Sequence, residues 1–136
     1  MLTRATFFLL LACSAIPPSI SADDYPFKSI NQIRKLAGAS ARNCGLVGIE
    51  QSEAALNQCA MEAFKSGKPF YVGVVRMGID TRNFEGFAQD DKGNLFHLWY
   101  WQSIPVRDSG HTKITNCPKP FNLRIANGVH LSCDRD

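Results

Sequence analysis

The spacing of the cysteines constrains the fold more than any other feature of this chain. Cys44 and Cys59 lie 15 positions apart, and Cys117 and Cys133 lie 16 positions apart. Four cysteines allow three pairings, and we favour the local one because each bond then closes a short loop. On the chain-entropy estimate, each such bond contributes roughly 3 kcal/mol to the free energy of unfolding. The sequence therefore predicts a small domain stapled by two disulfides.

Residues 1–22 have the pattern of an export signal, which would carry these cysteines to an oxidising compartment. Arg4 provides the positive start, residues 5–12 form a short apolar run, and a proline pair precedes a small-residue cleavage site that ends at Ala22. The apolar run is too short to span a bilayer. We expect 1–22 to be a signal peptide, 23–136 to be a single globular domain, and the protein to be periplasmic or secreted.

The fifth cysteine supports an alternative location. Residues 10–13, Leu-Leu-Ala-Cys, resemble the lipobox of bacterial lipoproteins, in which the cysteine is acylated and becomes the mature N-terminus. This resemblance implies a structural envelope lipoprotein anchored through Cys13, with residues 14–22 as a tether. Contact with a membrane is expected only in that case.

The charge pattern argues against nucleic acid as a partner. The formal net charge is +3, and the lysines and arginines are scattered along the chain rather than clustered. Nucleic-acid-binding domains concentrate basic residues on one face or along one segment. We therefore expect no nucleic-acid binding.

Two helices are predicted in the first half of the domain. Asp24 can cap the first, and apolar residues recur every three positions from Phe27 until Gly38 ends it. Residues 39–48 are predicted to form a loop that carries Cys44. Ser52 can cap the second helix, which ends at Ser66-Gly67. Its core-facing stripe comprises Leu56, Cys59, Ala60, Ala63 and Phe64.

From Phe70 onwards the apolar period changes to two, which is typical of strands. Strands are predicted from Phe70 to Met77, at 84–89 and 95–102, and on either side of the Asn127-Gly128 turn, with 103–120 as a polar connection. We expect an α+β fold with two N-terminal helices packed on one face of a four- or five-stranded antiparallel sheet.

The densest aromatic segment predicts a surface that needs a cover. Strand alternation places His97, Trp99 and Trp101 on one face and Phe96, Leu98 and Tyr100 on the other. Only one face can meet the helices in a two-layer domain. The other would be covered by the 103–120 connection, by a second copy in a homodimer, or by a ligand.

We take four side chains as candidate binding residues: Trp99, Trp101 and His97, together with Tyr71 from the first strand. Tryptophan and tyrosine are enriched at interaction hot spots. The expected partner is a protein, a peptide or a cell-wall glycan. In addition, Gly73 in the middle of that first strand marks either a bulge or a place where Trp99 or Trp101 lies across the backbone.

A catalytic alternative involves Cys44. The segment 43–47, Asn-Cys-Gly-Leu-Val, resembles the nucleophile segment of cell-wall cysteine peptidases. This resemblance implies a cysteine hydrolase in which His97 or His111 acts as the base. The nucleophile must be a free thiolate, so a bond between Cys44 and Cys59 would remove it.

The remaining polar residues predict no metal or cofactor site. His97, His111 and His130 lack the close spacing of zinc motifs. The acidic run at Asp90 has a lysine where a calcium loop needs an oxygen ligand, and hairpin-turn chemistry accounts for it. Our leading interpretation is a small exported binding module of a bacterial envelope that is not catalytic, such as an inhibitor or an immunity-type protein.

Overall fold

The computed structural model describes residues 27–47, 52–105, 110–119, 122–127 and 130–133. In this part of the chain, five strands form a mixed sheet in the order β1-β2-β3-β4-β5, and two more form a separate small sheet. The α+β class and the two disulfides are therefore confirmed. The elements are α1 (Phe27–Ala37), β1 (Arg42–Val47), α2 (Ala54–Lys65), β2 (Phe70–Met77), β3 (Thr81–Gln89), β4 (Leu95–Ser103), β5 (His111–Asn116), β6 (Arg124–Ala126) and β7 (His130–Ser132).

Both predicted helices form where the apolar periodicity places them. Gly38 follows α1 with φ +90°, and its amide donates to the carbonyl of Arg34, which ends the helix in the left-handed conformation that favours glycine. The Ser52 hydroxyl accepts from the amide of Ala54 at 3.3 Å, although the residue at the N-cap position of α2 is Glu53. The proposed cap of α1, Asp24, lies outside the described residues.

The predicted 39–48 loop is wrong, because residues 42–47 form β1, which pairs parallel to β2. The β1-α2-β2 segment is a βαβ unit, in which the helix provides the long crossover that parallel strands require. Gly45 adopts φ +111° where the register shifts between Asn43 and Leu46. Because β1 runs parallel to β2, the sheet is mixed rather than antiparallel throughout. The sequence pattern did not indicate β1, because Gly45 interrupts the short alternation of apolar and polar residues in this strand.

The two helices cover opposite faces of the sheet, not one face as predicted. On β2, alternation directs Tyr71 towards α1 and its neighbours Phe70 and Val72 towards α2. Ile33 of α1 is fully buried in the apolar cluster that contains Tyr71. Ala60 of α2 is fully buried in the separate cluster that contains Phe70 and Val72. Because both sheet faces are apolar, the domain has three layers. We call the two sides the α1 face and the α2 face.

The strands that follow β4 depart from the predicted arrangement. The 103–120 connection contains an additional strand, β5, which pairs antiparallel with β4 at the edge of the sheet. The hairpin around Asn127 forms, but β6 and β7 pair only with each other in the described chain and do not complete the main sheet. Leu123, which precedes β6, and Leu131, which lies in β7, instead pack into the core on the α2 face.

Both disulfides have the predicted local pairing and lie on the α2 face. Cys44 is bonded to Cys59, which ties β1 to α2, and Cys117 is bonded to Cys133, which ties the end of β5 to the end of β7. All four residues contact the same apolar cluster. The bonds therefore hold the two covering elements of this face in place.

The predicted signal peptide and Cys13 lie outside the described residues. Within the described residues, neither helix has the length and apolar character needed to cross a bilayer.

Gly73 is required by close packing, but the side chain across it is Phe84 rather than Trp99 or Trp101. A Cβ atom at position 73 would overlap the Phe84 ring, with Cε2 at 2.7 Å, and would approach Leu46 Cδ2 at 3.0 Å. The ring therefore occupies the space above the strand that any other residue would need.

We predict that Gly73→Ala lowers the free energy of unfolding by about 1–3 kcal/mol, because an added methyl overpacks this contact. Urea denaturation measures the loss. In a Phe84→Leu background, the same substitution should cost clearly less, since the clashing ring is gone. An equal cost in both backgrounds would contradict this account of Gly73.

We also predict that the folded protein, isolated without a reducing agent, has no titratable thiol at Cys44, Cys59, Cys117 or Cys133. Reaction with a thiol reagent in denaturant, with and without prior reduction, counts the free and bonded sulfurs. Complete reaction without reduction would contradict the stapled fold.

Candidate functional site

The α2 face of the sheet is covered over only part of its area. Helix α2 packs mainly on β1 and β2. Leu123 and Leu131 belong to the same apolar cluster as Phe87 and Leu95, which lie towards the adjoining ends of β3 and β4. Towards the other end of β4, Trp101 remains 39% exposed. The described elements therefore leave part of β4 and β5 open on this face.

Four rings line this open area, and we call them the aromatic surface: His97, Trp99, Trp101 and His111. Trp101 stacks on His111 of β5, with ring centroids 5.0 Å apart and an interplanar angle of 26°. His97 stacks on Phe87 of β3 at 4.5 Å and 11°. The described part of the 103–120 connection extends the sheet beside β4 rather than folding over it.

Trp99 lies between these two stacked pairs and between opposite charges. Its direct cross-strand neighbours are Glu85 on β3 and Lys113 on β5. Residues directly opposite each other in an antiparallel pair project to the same face. The aromatic surface is thus bordered by a carboxylate on one side and by an exposed ammonium group on the other.

Tyr71, the fourth candidate binding residue, is not part of this surface. It is only 8% exposed, and its position on β2 directs it to the α1 face. There it borders a shallow open basin near the C-terminal end of α1, together with Arg34 and Lys35. The fold brings together Trp99, Trp101 and His97, and it separates Tyr71 from them by the thickness of the sheet.

Next to the aromatic surface lies a charged network centred on Arg76. Its Nη1 and Nη2 donate to the Glu53 carboxylate at 2.8 and 3.2 Å, and its Nε donates to Glu85 Oε2 at 3.3 Å. Arg76 Nη2 also lies 2.8 Å from His130 Nδ1. The network therefore connects the start of α2 and the hairpin strand β7 to the sheet.

The chemistry of arginine assigns the proton of His130. A guanidinium group only donates hydrogen bonds, so His130 Nδ1 must accept and the ring proton lies on Nε2. Glu53 Oε2 lies 3.4 Å from the same Nδ1. Since neither atom then carries a proton, this approach is a close contact held by Arg76 rather than a hydrogen bond.

His97 couples the network to the aromatic surface. Its Nε2 donates to Glu85 Oε1 at 3.1 Å. Burial disfavours the charged form of Glu85, but the hydrogen bond and charge of His97, followed by those of Arg76, outweigh this effect and hold the Glu85 pKa below its ordinary value. Glu85 is thereby kept ionised, and the His97 ring is fixed beside Trp99.

Sequence reasoning missed most of this network, although a signal was present. Arg76 follows Phe70, Val72 and Val74 on the core-facing side of β2. A charged residue in register with buried apolar ones requires a partner. The partner could not be identified from the sequence, because Glu53 and His130 come from other elements far along the chain.

The structure does not bring together the residues of the cysteine-hydrolase alternative. Cys44 is bonded to Cys59, so its sulfur is not a thiolate. In the strand order, β1 and β4 are separated by two strands, which places His97 about 14 Å from Cys44 at the usual strand spacing. His111 lies one strand further away. Neither histidine is within reach of that sulfur.

Asp90 behaves as a hairpin residue, as predicted. The Asp90 carboxylate accepts from the amides of Lys92 and Asn94 at 2.9 and 2.8 Å and from Asn94 Nδ2 at 2.8 Å, which closes the β3-β4 turn. Burial opposes ionisation of Asp90, but these hydrogen bonds, those from Asn94 first, hold its pKa below the ordinary value.

In the described residues, no group of three or more His, Cys, Asp or Glu side chains is arranged to hold a metal ion.

Comparison of the chain with protein-family models, with curated proteins and with solved structures finds no match.

The lowered pKa of Glu85 predicts a specific loss of stability in acid. Because the folded-state pKa lies below the ordinary value of 4.5, the stability it contributes is present above pH 4.5 and is lost as the pH falls through the folded-state pKa. Glu85→Gln should therefore lower the free energy of unfolding at neutral pH, and this decrease should become progressively smaller below pH 4.5. Urea denaturation at a series of pH values measures this difference.

His97→Gln provides the matched background, because His97 is the foremost cause of the lowered pKa. In that background, the cost of Glu85→Gln should vary less with pH. The same pH dependence with and without His97 would show that the pair does not set the pKa.

Proposed function

We propose that this chain is an exported binding module, and that it recognises a partner protein through the aromatic surface formed by His97, Trp99, Trp101 and His111. The observation that carries the proposal is the exposure of Trp101, a large aromatic side chain held against His111 on a rigid strand. Aromatic side chains of this kind dominate the binding energy of protein interfaces. The two disulfides support export, because such bonds persist in oxidising compartments.

Preorganisation favours binding through these residues. Trp101 and His97 are each stacked on a ring of a neighbouring strand, so little side-chain freedom remains to be lost on association. The hydrogen bond from His97 to Glu85 holds one end of the surface. The partner would therefore meet a surface that is already in its binding conformation.

The charges at the border suggest the chemistry of the partner. Lys113 is exposed on β5 directly opposite Trp99, whereas Glu85 on the other side is engaged by Arg76 and His97. A partner that presents an apolar side chain to Trp101 and a carboxylate to Lys113 would satisfy both features. An inhibitor or an immunity-type protein would act in this way, by surface recognition and without chemistry.

The test begins with capture of partners from the envelope of the producing organism, using the wild-type protein and a Trp99→Ala/Trp101→Ala variant as baits. A protein recovered only by the wild-type bait is then purified and added in increasing amounts to the wild-type chain and to its variants, to measure the affinity of each. Both tryptophans of the chain, at positions 99 and 101, belong to this surface, so intrinsic tryptophan emission reports directly on its occupancy.

We predict that Trp101→Ala weakens this binding by about thirtyfold, the effect of a hot-spot residue of about 2 kcal/mol. Ile125→Ala is the matched control, because Ile125 is similarly exposed at 43% but lies on β6.

Lys113→Glu should also weaken binding, whereas Lys68→Glu, beyond the end of α2, should not. Equal affinity of the wild type and Trp101→Ala, with both folded, would overturn the proposal. Global unfolding of both tryptophan variants would instead assign these residues to the core.

A further inference from the structure

Among the described elements, strand β5 forms an open edge of the main sheet. It is the last strand in the sheet order, it pairs with β4, and all six of its residues are exposed. The opposite edge strand, β1, is different, because its register shifts between Asn43 and Leu46 and a disulfide ties it to α2. Irregularities of this kind protect an edge from further pairing. The regular edge is therefore β5.

The hydrogen-bond pattern shows which backbone groups of β5 point outward. The amide of Cys117 donates to the carbonyl of Leu95 at 2.8 Å, in register with the β4-β5 ladder. Backbone groups alternate in direction along a strand, so those of the odd-numbered residues face β4. The amides and carbonyls of Thr112, Ile114 and Asn116 consequently point away from the sheet.

These outward groups are self-complementary about Ile114. If β5 of a second copy runs antiparallel beside the first with Ile114 opposite Ile114, then Thr112 lies opposite Asn116 of the second copy, and the reverse also holds. Each of these is a hydrogen-bonded pair, in which the two residues exchange both bonds. This arrangement uses all three outward residues of each strand.

The neighbouring registers are less favourable. Centring the pair on Lys113 places two lysines directly opposite each other, which is destabilising. Centring it on Thr115 places Thr112 opposite Pro118, which has no amide proton. In the Ile114 register, Lys113 faces Thr115 of the second copy, and the two exposed Ile114 side chains meet at the axis.

From this complementarity we infer that the protein self-associates through β5 into a two-fold dimer with a continuous ten-stranded sheet. The two-fold axis is perpendicular to the sheet, so both aromatic surfaces lie on the same side. His111 then lies opposite Cys117 of the second copy, which places the covered part of one α2 face beside the open part of the other. The dimer presents two recognition surfaces to a partner.

An edge contact of about five residues is smaller than a standard protein interface, so association is reversible and depends on concentration. Sedimentation of the exported, disulfide-bonded protein measures the monomer–dimer equilibrium. A chain that remains monomeric at every concentration up to the millimolar range overturns the inference.

Position 114 offers a matched pair of variants. Ile114→Pro removes an outward amide proton but no hydrogen bond to β4, and proline is tolerated on such an edge. The variant should fold with an unchanged circular dichroism spectrum and lose the dimer. Ile114→Val keeps the amide and should retain the dimer. A dimer that survives Ile114→Pro must use another surface, and the inference then fails.

A charge pair tests the register. Thr115→Glu places a carboxylate opposite Lys113 at two symmetric positions, whereas Thr115→Lys places a second ammonium group there. Both variants remove the same contact from Thr115 Oγ1 to the His97 carbonyl. With about 0.5 kcal/mol for each cross-strand pair, the first variant should strengthen the dimer about fivefold and the second should weaken it by a similar factor. Shifts in the same direction would overturn the register.

Discussion

The fold is governed by the need to cover both faces of one sheet. Strands β2, β3 and β4 carry apolar residues on both sides, so the central strands cannot face water on either side without a large loss of hydrophobic stabilisation. Helix α1 covers one face with Ile33, Ile30 and Leu36. The other face is covered in part, by α2 and by Leu123 and Leu131. These covering elements are short and come from distant parts of the chain. The disulfides and the Arg76 network hold them there.

The Arg76 network is a polar counterpart of the disulfides. It connects α2, through Glu53, and β7, through His130, to the sheet, and these are the same two elements that the bonds Cys44–Cys59 and Cys117–Cys133 anchor covalently. A single guanidinium group satisfies two carboxylates, which would repel each other without it. Because Glu85 in turn orients His97, the interaction that closes the core also positions one end of the aromatic surface.

The aromatic surface follows from the incomplete cover that the described elements give to the α2 face. Helix α2, Leu123 and Leu131 cover part of this face, and β5 widens the sheet without adding a layer above it. Stacking on His111 and Phe87 compensates part of the exposure of these rings. In the function that we propose, this aromatic surface bordered by Lys113 contacts the partner protein.

Local features of the sequence were sufficient to predict both helices, strands β2 to β4 and their alternation, and the hairpins at Asp90 and Asn127. They also favoured the local pairing of the cysteines over the two other pairings, and the structure shows that pairing. Each depends on residues near one another in the chain, so periodicity and turn chemistry are sufficient. Local patterns could not predict four other features: the pairing of β1 with β2, the position of β5 at the edge, the placement of the helices on opposite faces, and the contacts of Glu53 and His130 with Arg76. These contacts join segments that are distant in sequence, and their free energy comes from burial and charge pairing that exist only after the layers have assembled.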